Sequence, residues 1–112
     1  MDSLTQTLRQ AIHQILQDYL EFLKNDPEVT SEMVLDIDRD RYLLVEIGWQ
    51  NNRRIYGVLI HIDIIDQKLW IQQDGTEEGV ANELVNLGIP KDRIVLGYKS
   101  LERRKITEFA VF

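Results

Sequence analysis

His61 and Asp63 stand two residues apart in the run IHIDI, and an imidazole beside a carboxylate can bind a cation or move a proton. In an extended strand, residues i and i+2 point to the same face. The pair therefore offers two ligands, and a third would have to come from a neighbouring strand, with Glu46 as the candidate. The second histidine, His13, falls in a different element. H-x-D alone recurs too easily to establish a metal site, so a hydrogen-bonded pair, within the domain or across an interface, is the expected role.

Other acidic groupings fit chemistry less well. Asp36, Asp38 and Asp40 alternate with Arg39 and Arg41, but no glycine and no late glutamate fall in register for a calcium loop. They read as an ion-paired hairpin tip. The stretch Gln72-Gln73-Asp74-Gly75-Thr76 precedes a helical period and could open an anion site, yet Glu77 and Glu78 follow immediately and would repel a phosphate. No serine is spaced for a histidine and acid partner, and there is no glycine-rich phosphate loop. The expectation is a non-enzymatic protein with no cofactor.

Two basic groups could grip a polyanion: Arg53-Arg54, and Arg103-Arg104-Lys105 near the C-terminus. If both fell on one surface they could contact DNA despite the net charge of −6. That charge, with a pI near 4.8, opposes non-specific adhesion to DNA or anionic lipid, so protein partners are expected before the duplex. Trp49, Trp70, Tyr42 and Tyr56 are expected mainly in the core, with a subunit interface as the alternative.

These residues need elements to hold them. A chain of 112 residues suits one domain with one core. The absence of cysteine excludes disulfides and thiolate metal sites. The N-terminal sequence lacks a secretory pattern and no apolar run approaches the roughly 20 residues that span a bilayer, so a cytoplasmic protein is expected. From Ser3 to about Lys24, apolar residues recur at three- and four-residue steps, with a Ser3–Gln6 capping box and a stop at Asn25-Asp26-Pro27. Strands are predicted over 32–38, 42–49, 55–65 and 68–73, joined by turns at Arg39-Asp40, Asn51-Asn52 and Asp66-Gln67. Tyr56, Val58, Ile60, Ile62 and Ile64 are placed on one apolar face. A second helix begins at Thr76 or at an Asp74–Glu77 capping box and ends at Gly88 and Pro90. Ile94–Leu96 is a short apolar segment and Gly97–Phe112 a tail. The predicted class is α+β: a helix, a four-stranded antiparallel meander, a second helix and a C-terminal tail.

The strings GWQNNRRIYG, IHIDI, KLWIQQDGTEEGVANELV, LGIPKDRIVLGY and TEFAVF resemble the XisI family, the fdxN element excision controlling factor of cyanobacteria. The likeness runs over almost the whole chain. It implies a regulatory role in programmed DNA excision beside a site-specific recombinase and a companion protein, XisH, which the family picture makes nuclease-like. An acidic protein of this kind could cover a basic surface on XisH. The alternative is a DNA-binding directionality factor working through Arg53/Arg54 and Arg103/Arg104/Lys105. An exposed sheet edge and the apolar end FAVF also suggest a homodimer.

Overall fold

Leu8, Ala11, Ile12, Ile15 and Leu16 fall on one stripe, and in the computed structural model, which describes residues 3–112, that stripe is the buried side of helix α1 (Ser3–Leu23). Ser3, expected just ahead of the helix, is already helical. Four strands follow in the predicted order: β1 (Val29–Asp36), β2 (Arg41–Gln50), β3 (Arg53–Ile65) and β4 (Lys68–Asp74), each antiparallel to the one before. The two-residue turns are Asn51-Asn52 and Asp66-Gln67. All four residues have positive φ, the left-handed pairing that matches the twist of a hairpin.

The meander is not the whole sheet. After helix α2 (Val80–Asn86) and a short 3₁₀ turn at Lys91–Arg93, Ile94–Leu96 forms β5, which pairs with β4 in parallel. The sheet has five strands in the order β1-β2-β3-β4-β5, and the expected four antiparallel strands are corrected to a mixed sheet. The crossover through α2 makes the parallel pairing possible. A three-residue apolar run carries too little period to declare itself a strand. The tail is also structured: helix α3 (Leu101–Arg104) is followed by a bridge from Ala110 to Val95 along the outer edge of β5.

One correction decides what the sheet exposes. Leu44 pairs with Ile60 and Val45 with Val58, so Leu59 has no partner in β2 and forms a bulge in β3. The bulge reverses the alternation. Ile60, Ile62 and Ile64 face α1 and α2, whereas Tyr56 and Val58, expected beside them, turn to the opposite face and are exposed. A second irregularity leaves Gln72 without a register partner in β3, between the His61–Gln73 and Ile62–Ile71 pairs.

The core lies between the inner face of the sheet (Tyr42, Leu44, Ile60, Ile62, Leu69, Ile71) and the buried sides of α1 and α2. Leu8, Ile12, Leu16 and Leu84 are fully buried in it. Gly48 is needed where β1 begins. A Cβ there would stand 2.2 Å from the Glu28 carbonyl oxygen. The end of α2 is closed by Gly88 at φ +97°, whose N–H bonds the Val85 carbonyl while that of Ile89 bonds Leu84.

Candidate functional site

The sheet's outer face carries His61 and Asp63. His61 Nε2 lies 2.7 Å from Asp63 Oδ1, and Gln72 Nε2 donates to Asp63 Oδ2 at 3.4 Å. Glu46 cannot join them. It pairs with Gly57 two rows from Leu44 and so belongs to the inner side of β2. Among the described residues no group of three histidines or carboxylates is placed to hold a metal ion. The pair acts as a polar clip between β3 and β4 at the second bulge.

The two basic groups are not brought together. Arg54 pairs with Trp49 at one end of β3, and its guanidinium lies 5.4 Å over the Trp49 ring and 5.7 Å over Tyr56. Arg53 is exposed beside the turn. Arg104 stacks 5.3 Å over Trp70, which pairs with Asp63. Arg54 and Asp63 are nine residues apart on β3, so the groups are separated by roughly 30 Å. Arg104 fastens α3 to the sheet, and Lys105 pairs with Glu102 at 3.7 Å; Arg103 and Lys105 are the exposed members of the cluster. The aromatics divide too. Tyr42 is buried and Trp70 half-buried, but Trp49 is 59% and Tyr56 74% exposed, against the expected core placement.

The inner side holds a feature that no single stretch of sequence announces. Between the end of α1, the sheet at Glu46 and Leu59, and the loop before α2, which is tied to β3 by the Gly75 N–H bond to the Leu59 carbonyl at 2.8 Å, lies a groove of about 460 Å³. Tyr19, Leu23 and Leu59 give it an apolar floor, and Phe22, mostly exposed, stands at its edge. Its rim is Asp18, Glu46, Glu77, Glu78 and Glu83, with no basic residue in the lining. Asp74, outside the lining, holds the Gly75–Glu78 wall in place. Its Oδ1 accepts from the Thr76 N–H at 2.9 Å and hydroxyl at 2.6 Å, and its Oδ2 accepts from the Val80 N–H at 2.8 Å. Asp74 thus caps α2 from six residues away, and the helix starts at Val80 rather than at Thr76.

Glu83 is the most constrained group of this rim. Tyr19 donates to its Oε1 at 3.2 Å, and its Oε2 is buried without a hydrogen-bond partner. Burial pushes the Glu83 carboxyl above its ordinary value, the bond from Tyr19 works against that, and the negative fields of Glu78, Asp74 and Asp18 add to the rise. Chemically the groove suits a cation on an apolar stem, such as a lysine or arginine side chain.

Comparison with known proteins decides the lineage. A family described as XisI protein matches residues 1–111. The chain belongs to the XisI family. Among solved structures, a XisI-like protein from Anabaena variabilis ATCC 29413 is 34% identical, with a TM-score of 0.85 over 95% of this chain and 99% of that one. The fdxN element excision controlling factor XisI from the same organism is 31% identical, with a TM-score of 0.83 over 99% of this chain and 100% of that one. No curated protein matches. No helix among the described residues is long and apolar enough to cross a membrane.

The XisI resemblance read from the sequence therefore stands, and the excision controlling factor is among the proteins this chain is similar to. The groove was missed because its rim comes from α1, β2 and the residues from Glu77 to Glu83, which folding alone brings together. The acidic dipeptide Glu77-Glu78, which the sequence marks as repelling a phosphate, is the available signal.

Proposed function

We propose that the chain is a non-enzymatic controlling factor of DNA element excision that works through protein contacts, its acidic groove seated on a basic surface of an XisH-type companion that acts with the recombinase in the cytoplasm. The observation that carries this reading is Glu83, a half-buried carboxylate with one oxygen unpartnered at the rim of a groove that contains acids and no base. A buried charge left without a partner is costly, and a cationic side chain arriving from outside removes the cost. Family membership and likeness to an excision controlling factor support the process in which this contact would act.

The test is to mix the chain with its XisH-type companion at low and high salt and read the mass of the complex by light scattering. A complex that Glu77→Lys/Glu78→Lys weakens, most of all at low salt, supports the reading. No complex at either salt concentration, with both proteins folded, sinks it.

A second reading, a directionality factor that contacts DNA, is favoured by one observation: Arg54 lies over two exposed aromatic rings. It requires duplex binding by the chain alone, with affinity falling steeply as salt rises.

A further inference from the structure

Helices cover the inner face of the sheet, and α3 with the tail covers the outer face over β4 and β5. The tail is pinned there, for Lys68 Nζ on β4 donates to the Phe112 carbonyl at 2.6 Å. Across β1, β2 and β3 the outer face stays open. An open face of an antiparallel sheet ordinarily carries polar residues at its outward positions. Here Val34, Val58, Trp49 and Tyr56 are exposed on it, with Leu43, Val45 and Ile47 between them. With strands about 4.8 Å apart and a rise of about 3.3 Å per residue, this patch measures roughly 15 by 25 Å. That is in the range of the largest apolar patches on monomers, which are often functional.

We propose that this face is the surface on which a second copy of the chain packs, sheet against sheet, about a twofold axis that lies between the two sheets and crosses the strands at the Val45–Val58 pair. The order of residues along the face supports this occupant. From that pair, the outward rows in one direction are Ile47–Tyr56 and Trp49–Arg54; in the other they are Leu43–His61 and Arg41–Asp63. The axis reverses the rows. Arg54 of each copy then meets Asp63 of the other, Trp49 meets Arg41 and Tyr56 meets His61, with aliphatic side chains in the middle. Opposite charges and cation–aromatic pairs thus fall together at both ends, as an isologous interface requires. Aligned packing of two twisted sheets keeps the strand directions close enough for these rows to meet. A nucleic acid suits the face less well, because Glu32, Asp36 and Asp63 share it with Arg41 and Arg54, three acids against two bases.

This assignment is independent of any companion protein. The groove lies on the inner side, between α1, the sheet and the loop before α2, so a pair joined back to back carries two open grooves on opposite sides. Self-association belongs to this face, not to the FAVF end, where Phe109 packs on the core and Ala110 bridges β5.

Light scattering of the purified chain over a concentration series tests the proposal. The expected mass is twice the 13.2 kDa of one chain. Tyr56→Asp should weaken association roughly 30-fold or more, as removal of a central aromatic anchor does, with an unchanged circular dichroism spectrum. Arg54→Asp and Asp63→Arg should each be monomeric alone, where both contacts are repulsive, and form a one-to-one heterodimer when mixed, because one contact is then the native pair and the other its charge-reversed, again attractive, equivalent. If Asp63→Arg fails to fold, Tyr56→Asp and Arg54→Asp still decide. A wild-type mass of one chain at several hundred micromolar overturns the proposal, as does a dimer that Tyr56→Asp and Arg54→Asp leave intact. Salt-sensitive binding of a single-stranded oligonucleotide by a monomeric wild type, lost in Tyr56→Asp, would also overturn it and assign the face to nucleic acid.

Discussion

The Tyr42 hydroxyl donates to Asp40 Oδ1 at 2.7 Å, and the same oxygen accepts from Arg9 Nε of α1 at 2.9 Å. Asp40 holds φ +52° at the end of the β1–β2 turn, so one carboxylate fixes the turn, the first core residue of β2 and the adjacent side of α1. Burial, followed by the bond to Asp40, pushes the Tyr42 hydroxyl up to about 12. Its contribution to stability is then fully present below about pH 10, the unfolded value, and is lost as pH rises towards 12. Tyr42→Phe should cost about 1 kcal/mol at neutral pH and flatten that alkaline limb. Burial works to raise the Asp40 carboxyl, but the bonds from Arg9 and Tyr42 overcome it and hold it low. Its contribution is present above an unfolded value of about 3.9 and lost as pH falls through the folded one. Asp40→Asn should flatten the acid limb. Urea unfolding across the pH range reads both.

Two strand glycines should respond in opposite ways. Gly48→Ala drives a Cβ onto the Glu28 carbonyl and the Val29 Cα, both backbone atoms, and is expected to destabilise by about 3 kcal/mol or to prevent folding. Gly57→Ala meets open space and should be neutral or slightly stabilising, because alanine restricts the unfolded chain. Thermal melts of the two variants side by side measure the contrast.

Glu83→Gln should stabilise the isolated chain at neutral pH, where it removes a carboxylate held above its ordinary value by burial. The difference from wild type should shrink as pH falls and Glu83 takes up its proton, since a raised carboxyl costs stability only when ionised. Denaturant midpoints at about pH 7 and about pH 4 check this. The same substitution should weaken the companion complex, and a variant that is both more stable and less able to bind would mark a group kept for recognition.

Asp74→Ala removes three hydrogen bonds that order the Thr76 loop and the start of α2, and should cost about 1–2 kcal/mol. The loss should fall first on α2, read as faster amide hydrogen exchange at Ala81 and Leu84 than at Leu44 or Ile62.

The sequence made the helix stripe from Leu8 to Leu16, the Asn51-Asn52 and Asp66-Gln67 turns and the Gly88 stop legible, because each rests on local period or local backbone preference. The features that set function are non-local. A single residue without a partner in β2, Leu59, sends Tyr56 and Val58 to the outer face, and strict alternation cannot foresee it. The pairing of Ile94–Leu96 with β4 depends on α2 folding back, and the acidic groove depends on α1 meeting the residues from Glu77 to Glu83. Arg54 and Arg104 looked alike as basic residues, yet one stacks on two exposed rings and the other secures α3 to Trp70.

The strands lie in the sheet in the order in which they occur in the chain, and this bears on how the protein is made. Each strand emerging from the ribosome finds its neighbour already synthesised, joined by a short turn or by the single α2 crossover, so pairing can advance with synthesis and without long loop closures. Helix α1 has the opposite fate. It is made before the strands, so Leu44, Ile60 and Ile62, against which its stripe packs, come later. Leu8, Ile12 and Leu16 must therefore wait in water until β3 is complete, and that interval is when the nascent chain is most open to aggregation or to capture by a chaperone.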